Sequence, residues 1–313
     1  MRGWRLVCDG RATWVAAAVL AVACQGSTSE SSDGRVQAAF PANALVYGQG
    51  PEGARSLYVV PVEGGEPSRL TSHPASDGLP RWTRDGRAVV FASQRSGNWQ
   101  LWRTSIDGGD PTRLRVNEHR EFQADESPDG RFLAFLSNRE GPEFLWLLDQ
   151  TTGELRTLVR HGKRTVMGNP HWSPDGRRIV FSSNWKSGHQ IYVVDVASGE
   201  ARRISPIGGC EPRFSPDGTK VVYVRRRPQG DKSLSRIVEH HVATGEETVV
   251  VDWPALNYDP VYSPDGSEIA FASTITGTWE IYRQRLADGK AHRVTFAEAD
   301  ARYPDYRPAT AGP

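Results

Sequence analysis

With 313 residues and 38% apolar content, the chain can bury a substantial core. Thirty-eight Lys and Arg stand against 37 Asp and Glu, a formal charge of +1; without residues 1–23, which hold three arginines and one aspartate, the charge is −1. No basic excess remains to hold a nucleic-acid backbone, so nucleic acid is excluded as a partner.

Arg2, Arg5 and Arg11 precede an apolar run over residues 12–23 broken only by Thr13, the pattern of an export signal. The run is too short to span a bilayer, which takes about 20 apolar residues. Cys24 follows, and then Gln25-Gly26-Ser27-Thr28-Ser29-Glu30-Ser31-Ser32, a polar stretch with no core-forming content. The chain therefore divides into a signal peptide at 1–23, a flexible Ser-rich tether at 24–42 and a folded body at 43–313. With Cys8 in the signal and Cys24 at its end, Cys210 is left with no disulfide partner and reads as a small buried apolar residue.

The body opens with a strand at residues 44–47. Gly48-Gln49-Gly50-Pro51-Glu52-Gly53 fits a dinucleotide-binding pattern, but a second strand at 57–60 follows where phosphate binding needs a helix N-terminus, so the glycines belong to a hairpin. A repeated phrase then dominates: Thr83-Arg84-Asp85-Gly86, Ser127-Pro128-Asp129-Gly130, Ser173-Pro174-Asp175-Gly176, Ser215-Pro216-Asp217-Gly218 and Ser263-Pro264-Asp265-Gly266. Its Asp-Gly steps lie 44, 46, 42 and 48 residues apart, the period of four-stranded propeller blades. Proline presets φ, aspartate bonds its own backbone and glycine takes the left-handed conformation, so each phrase is a tight turn. Asp85, Asp129, Asp175, Asp217 and Asp265 are structural on this reading, each serving its own hairpin.

A strand rich in branched and aromatic residues follows every turn, ending in Phe91, Phe135, Phe181, Tyr223 or Phe271; Tyr47 ends the copy that lacks a turn. Eleven residues beyond that aromatic stands another, Tyr58, Trp102, Trp146, Tyr192 or Tyr282, in a third strand. The fifth copy departs, running from Tyr223 to Val238 through an insertion of four residues near Arg225. A glycine turn and a short last strand complete each copy. Before each turn a further strand carries Trp82, Trp172, Phe214 or Tyr262, with Pro80, Pro170, Pro212 or Pro260 two residues earlier, a residue suited to a strand start or edge. In the third copy Ala124 and Glu126 replace the proline and the aromatic, so that blade is expected to pack loosely or to present Glu121, Asp125 and Glu126 to a ligand. Tyr303-Pro304-Asp305-Tyr306 repeats the signature of this strand with no turn after it. The C-terminal strand should therefore complete the first blade and close the ring, removing exposed edges. The fold class is all-β: a six-bladed β-propeller of four-stranded antiparallel blades, 44 residues per blade over residues 43–306.

Six residues before the turn aspartate stand Gln123, Asn169, Glu211 and Asp259, with Leu79 and Tyr303 in the other two slots; Asp77, Asp125 and Asp305 lie within two residues of that ring. If the innermost strands start at one mouth of the central tunnel, these groups converge there, able to hold a cation through oxygen ligands or to receive a basic peptide end. Polar residues also line any solvated channel. Of eight scattered histidines only His171 falls on an innermost strand, and no His or Cys pair has metal-ligand spacing, so no metal and no cofactor is assigned.

The phrase Pro170-His171-Trp172-Ser173-Pro174-Asp175-Gly176, with Ile191-Tyr192 and Ile281-Tyr282 in later strands, resembles the TolB-type propeller repeat, also called PD40 or WD40-like. TolB itself carries an α/β domain before its propeller, where this chain has a tether of about 20 residues, so the partners of TolB are not carried over. Similar propellers cap prolyl oligopeptidase-type peptidases, but no Gly-x-Ser-x-Gly elbow occurs and only seven residues follow Tyr306. Oligogalacturonate lyases, also similar, assemble a metal site around the tunnel. Leu20-Ala21-Val22-Ala23-Cys24 resembles the lipobox of bacterial lipoproteins, which implies that Cys24 becomes the lipidated first residue; an ordinary signal-peptidase cut would instead release a soluble periplasmic protein. Gln25, where an aspartate would imply inner-membrane retention, implies the outer membrane. The expectation is a monomeric, periplasm-facing lipoprotein whose propeller binds a protein or peptide of the cell envelope; the rival is a tunnel-mouth enzyme acting on a carbohydrate.

Overall fold

The computed structural model describes residues 40–162, 165–185, 188–226 and 234–309. Residues 1–39, where a signal peptide, Cys24 and most of a tether are expected, and the centre of the fifth-copy insertion lie outside the described residues. Among them, 24 strands, numbered in chain order from β1 (Ala44–Gln49) to β24 (Ala301–Tyr306), form six four-stranded antiparallel sheets. Each sheet is one blade of a propeller. The innermost strands are β4 (Asp77–Trp82), β8 (Glu121–Glu126), β12 (Met167–Trp172), β16 (Cys210–Phe214), β20 (Asn257–Tyr262) and β24. As expected, β24 joins the first blade from the opposite end of the chain, pairing antiparallel with β1 through Leu45↔Tyr306 and Gln49↔Ala301.

Consecutive strands run in opposite directions, so the connections alternate between two faces of the disc. The Asp-Gly turns and the outermost hairpins share one face; the middle hairpins and the blade-to-blade crossovers share the other. The hydrophobic core lies between blades rather than at the centre. Tyr47, Phe91, Phe135, Phe181, Tyr223 and Phe271, one per blade on the second strand, are all 0–1% exposed. Buried aromatics of this size dominate core energetics. Phe40 is also buried, against Trp82, Val89 and Phe91, so the folded body takes in a residue that composition assigns to the tether.

One expectation is met in a particular form and one needs correction. The prolines lie on edge strands, as expected, but inside the strand rather than at its start. Each innermost strand bulges so that two residues oppose one on its neighbour: Leu79 and Pro80 face Phe91, Asn169 and Pro170 face Phe181, Asp259 and Pro260 face Phe271. A bulge leaves a residue out of the ladder, so a proline that cannot donate is accommodated there inside the strand. The third blade is not loose: Glu121, Asp125 and Glu126 are 0%, 4% and 7% exposed, and all are paired. Cys210 is buried as expected, at 2% exposure.

Candidate binding site on the propeller axis

The bulge sets the geometry of the axis. The first residue of each bulge, Leu79, Gln123, Asn169, Glu211, Asp259 or Tyr303, has φ between 53° and 62°, the left-handed region, and none is glycine. Side chains other than Asn and Asp reach this region at a cost of about 1–2 kcal/mol each. In that conformation the six side chains form one ring, and several reach the backbone of the next blade. Asn169 N donates to Gln123 Oε1 at 2.9 Å, and Gln123 Nε2 donates to Asn169 Oδ1 at 2.7 Å. Asp259 N donates to Glu211 Oε2 at 2.6 Å, and Tyr303 N to Asp259 Oδ2 at 3.2 Å.

A second ring lies two residues further along each strand: Arg81, Asp125, His171, Arg213, Val261 and Asp305. It clasps blades in the same direction. Trp82 N donates to Asp305 Oδ2 at 2.9 Å, Trp172 N to Asp125 Oδ2 at 2.8 Å, and Phe214 N to His171 Nδ1 at 3.1 Å. The Trp82 and Trp172 indoles return to the carbonyl oxygens of Asp305 and Asp125, each at 3.1 Å. Where the third blade lacks the tryptophan, Glu126 takes over: its carboxylate accepts from Arg84 N at 2.8 Å and from Gln150 Nε2 at 2.9 Å.

Burial shapes the protonation of these groups. It lowers His171 to about 4, so the imidazole is neutral and its Nδ1 accepts. Burial raises the Asp305 carboxyl to about 6, against the pull of Arg81. It also raises Glu211, with the charge of Asp259 adding to the rise. Arg302 answers the two acids: its Nε donates to Asp259 Oδ2 at 2.5 Å while its guanidinium lies over Trp279 at 4.1 Å and Tyr303 at 5.0 Å. Burial pushes this guanidinium down, but the charge and hydrogen bond of Asp259 together with Tyr303 and Glu211 outweigh it and the pKa rises.

The rings enclose an axial cavity of only about 10 Å³, lined by Leu79, Arg81, Asn169, Glu211, Arg213 and Asp259 among others. Such a space holds about one water molecule. Of the residues singled out in the sequence, Asn169, Glu211 and Asp259 reach this cavity. Gln123 stands behind Asn169; Asp125, His171 and Asp305 act as blade clasps. Asp77 lies off the axis under Arg95, which it pairs at 2.8 Å. Sequence reasoning missed Arg81, Arg213 and Arg302, whose positions have no shared residue type to mark them. Cys24 lies outside the described residues. The turn aspartates sit on the rim of one face, each accepting from the hydroxyl two residues before it, as in Ser215 Oγ to Asp217 Oδ1 at 2.6 Å. These bonds hold Asp129, Asp217 and Asp265 below the usual carboxylate range. Among the described residues, no three His, Cys, Asp or Glu side chains are placed to hold a metal ion.

A pH dependence follows from the raised acids. A carboxyl whose folded pKa lies above its unfolded value adds stability at low pH and loses it as pH rises through the folded value. Asp305 contributes such a loss between about 4 and 6. Thermal unfolding followed across this window should show the melting temperature of Asp305→Asn falling less steeply with pH than that of the parent. The amide oxygen still accepts from Trp82, while the ionisation is gone. Equal slopes would contradict the assignment.

A family model described as the TolB beta propeller domain, PD40, matches residues 39–163 and 125–252. Over 95 residues the chain is 34% identical to the uncharacterized protein Atu1656 of Agrobacterium fabrum; the match spans 30% of this chain and 30% of that one. Among solved structures, TolB from Acinetobacter baumannii superposes with a TM-score of 0.75 at 18% identity, covering 85% of this chain and 67% of that one. Oligogalacturonate lyase from Vibrio parahaemolyticus gives 0.51 at 17%, covering 68% and 63%. At these identities the structural likeness establishes the fold and no more. The family match spans more than half of the chain, and the bulged inner strands, Asp-Gly turns and closed six-bladed ring give it a structural basis: this protein belongs to the TolB beta-propeller (PD40) family.

Proposed function

We propose that the protein is an exported lipoprotein, anchored through Cys24 in the outer membrane and facing the periplasm as a monomer, whose propeller binds a protein or peptide of the cell envelope and catalyses no reaction. The observation that carries this reading is the use already made of the axial polar groups. Gln123, Glu211, Asp259, Asp125, His171 and Asp305 bond the backbone of neighbouring blades, Asn169 accepts from the Gln123 side chain, and the space among them holds about one water. An axis committed to holding blades together supports a rigid binding platform.

The rival reading, an axial enzyme acting on a carbohydrate, draws support from the fold shared with oligogalacturonate lyase. A cavity of about 10 Å³ weighs against it, because a sugar ring is many times larger. The two separate experimentally. Crosslinking in cells followed by affinity capture should retrieve a specific envelope protein, and radiolabelled palmitate should enter the protein but not Cys24→Ala. Absence of any specific partner, together with a stoichiometric metal in the purified protein, would favour the enzyme.

A further inference from the structure

A larger cavity lies off the axis. A cleft of about 530 Å³ opens between the first and last blades, on the face that carries the Asp-Gly turns. Val62 and Pro264 give it apolar wall, and Glu63, Asp265, Glu268 and Arg283 give it charge. Arg283 already bridges two of these acids, donating to Glu63 at 2.5 Å and to Glu268 at 3.3 Å. Arg307, also at the rim, is committed to the carbonyl oxygens of Gly86, Phe40 and Pro41. Tyr306 lines the cleft at 6% exposure, and its hydroxyl has no hydrogen-bond partner among the described residues. A buried hydroxyl left unbonded is costly and rare, and here it stands beside an open space.

The surrounding face reinforces the chemistry. Besides the five turn aspartates, the outermost hairpins of successive blades bring exposed Glu63, Asp107, Glu154, Glu200, Glu246 and Asp288 to it. Carboxylates outnumber Arg and Lys in these turns, although the chain as a whole is nearly neutral. A field of this sign draws cationic groups toward the cleft.

We propose that this cleft receives a lysine or arginine side chain of a protein or peptide partner, an inference that rests on the protein-binding reading above and names its chemistry. The aliphatic stem lies along Val62 and Pro264 while the charged head meets Glu63 and Glu268 and donates to the Tyr306 hydroxyl. Glu63 is free to turn toward it: its side chain is 71% exposed, and an ion pair so open to water is exchanged at little cost.

The test is calorimetric titration of the whole protein with acetyl-Gly-Lys-Gly-Lys-Gly-amide and with the same peptide carrying Glu for Lys. The Lys peptide should bind, more weakly as salt is raised, and the Glu peptide should not. Tyr306→Phe and Glu63→Gln should each weaken binding about tenfold, a loss of about 1.4 kcal/mol, while Glu200→Gln on the far side of the same face should change it less than about twofold. Tyr306→Phe removes a hydroxyl that bonds nothing among the described residues, so its melting temperature should stay at the parent value and certify the variant. No saturable binding of the Lys peptide, or equal weakening by Glu200→Gln, overturns the proposal. A crosslinked envelope partner whose footprint avoids the cleft also overturns it while leaving the protein-binding reading standing; failure to find any partner removes that reading instead.

Discussion

Ending the chain at Asp300 is expected to abolish cooperative folding. That truncation removes β24, and with it the inner strand of the first blade. Leu45, Val46 and Tyr47, now fully buried, would line an exposed edge. Each such side chain is worth about 1.5–3 kcal/mol on burial, against a total stability of about 5–15 kcal/mol for a typical domain. Two further ties go with the strand: the Asp305 clasp on Trp82, and the Arg307 cap on the carbonyl oxygens of Phe40, Pro41 and Gly86. Near-ultraviolet circular dichroism should lose the fixed aromatic signal, and thermal melting should lose its sigmoid. A truncated chain with a parental melt would mean that the ring closes without its last strand.

Arg302→Ala is expected to be the most damaging single substitution on the axis, at about 3–5 kcal/mol, because removing one partner of a buried ion pair leaves the other uncompensated. The Arg302 and Asp259 side chains are 14% and 8% exposed, and Glu211 stands beside Asp259 with its own carboxylate. The guanidinium also fills the space between Trp279, Tyr258 and Tyr303. Combining Arg302→Ala with Asp259→Asn should recover part of the loss, since the orphaned charge disappears with its partner. Chemical denaturation of the two single variants and the double measures the coupling directly. Purely additive losses would show that the pair contributes through packing alone.

How much of this was legible beforehand differs between the ring and its axis. The blade count and the closure follow from features that repeat: the Asp-Gly turn, the aromatic eleven residues after Tyr47, Phe91, Phe135, Phe181 and Phe271, and the unmatched Tyr303-Pro304-Asp305-Tyr306. Repetition makes a weak local signal strong, because six copies must satisfy one geometry. The axial conformation left no such mark. Leu79, Gln123, Asn169, Glu211, Asp259 and Tyr303 share a left-handed φ but no composition, and only Asn and Asp favour it intrinsically. The bulge beneath them is a property of two strands in register, which a single strand pattern does not display. The ring positions were readable as convergent, yet their bonds to neighbouring backbones depend on side-chain length at that bulge. Arg302, one residue before the closing signature, gave no reason for notice. The cleft at the blade 1–6 junction arises because the first and last blades meet there, so residues as distant as Glu63 and Arg283 become neighbours at 2.5 Å.

The account depends on a closed ring that behaves as one cooperative body. Native-state amide hydrogen exchange tests this directly, because a strand that belongs to the cooperative unit opens only with the whole. Amides bonded between β24 and β1 should exchange as slowly as those of the central strands in the other blades, with the free energy of global unfolding. Exchange from Ala301–Tyr306 faster by orders of magnitude, with the other five blades still protected, would mean that the last strand merely rests against the first blade and would contradict the account.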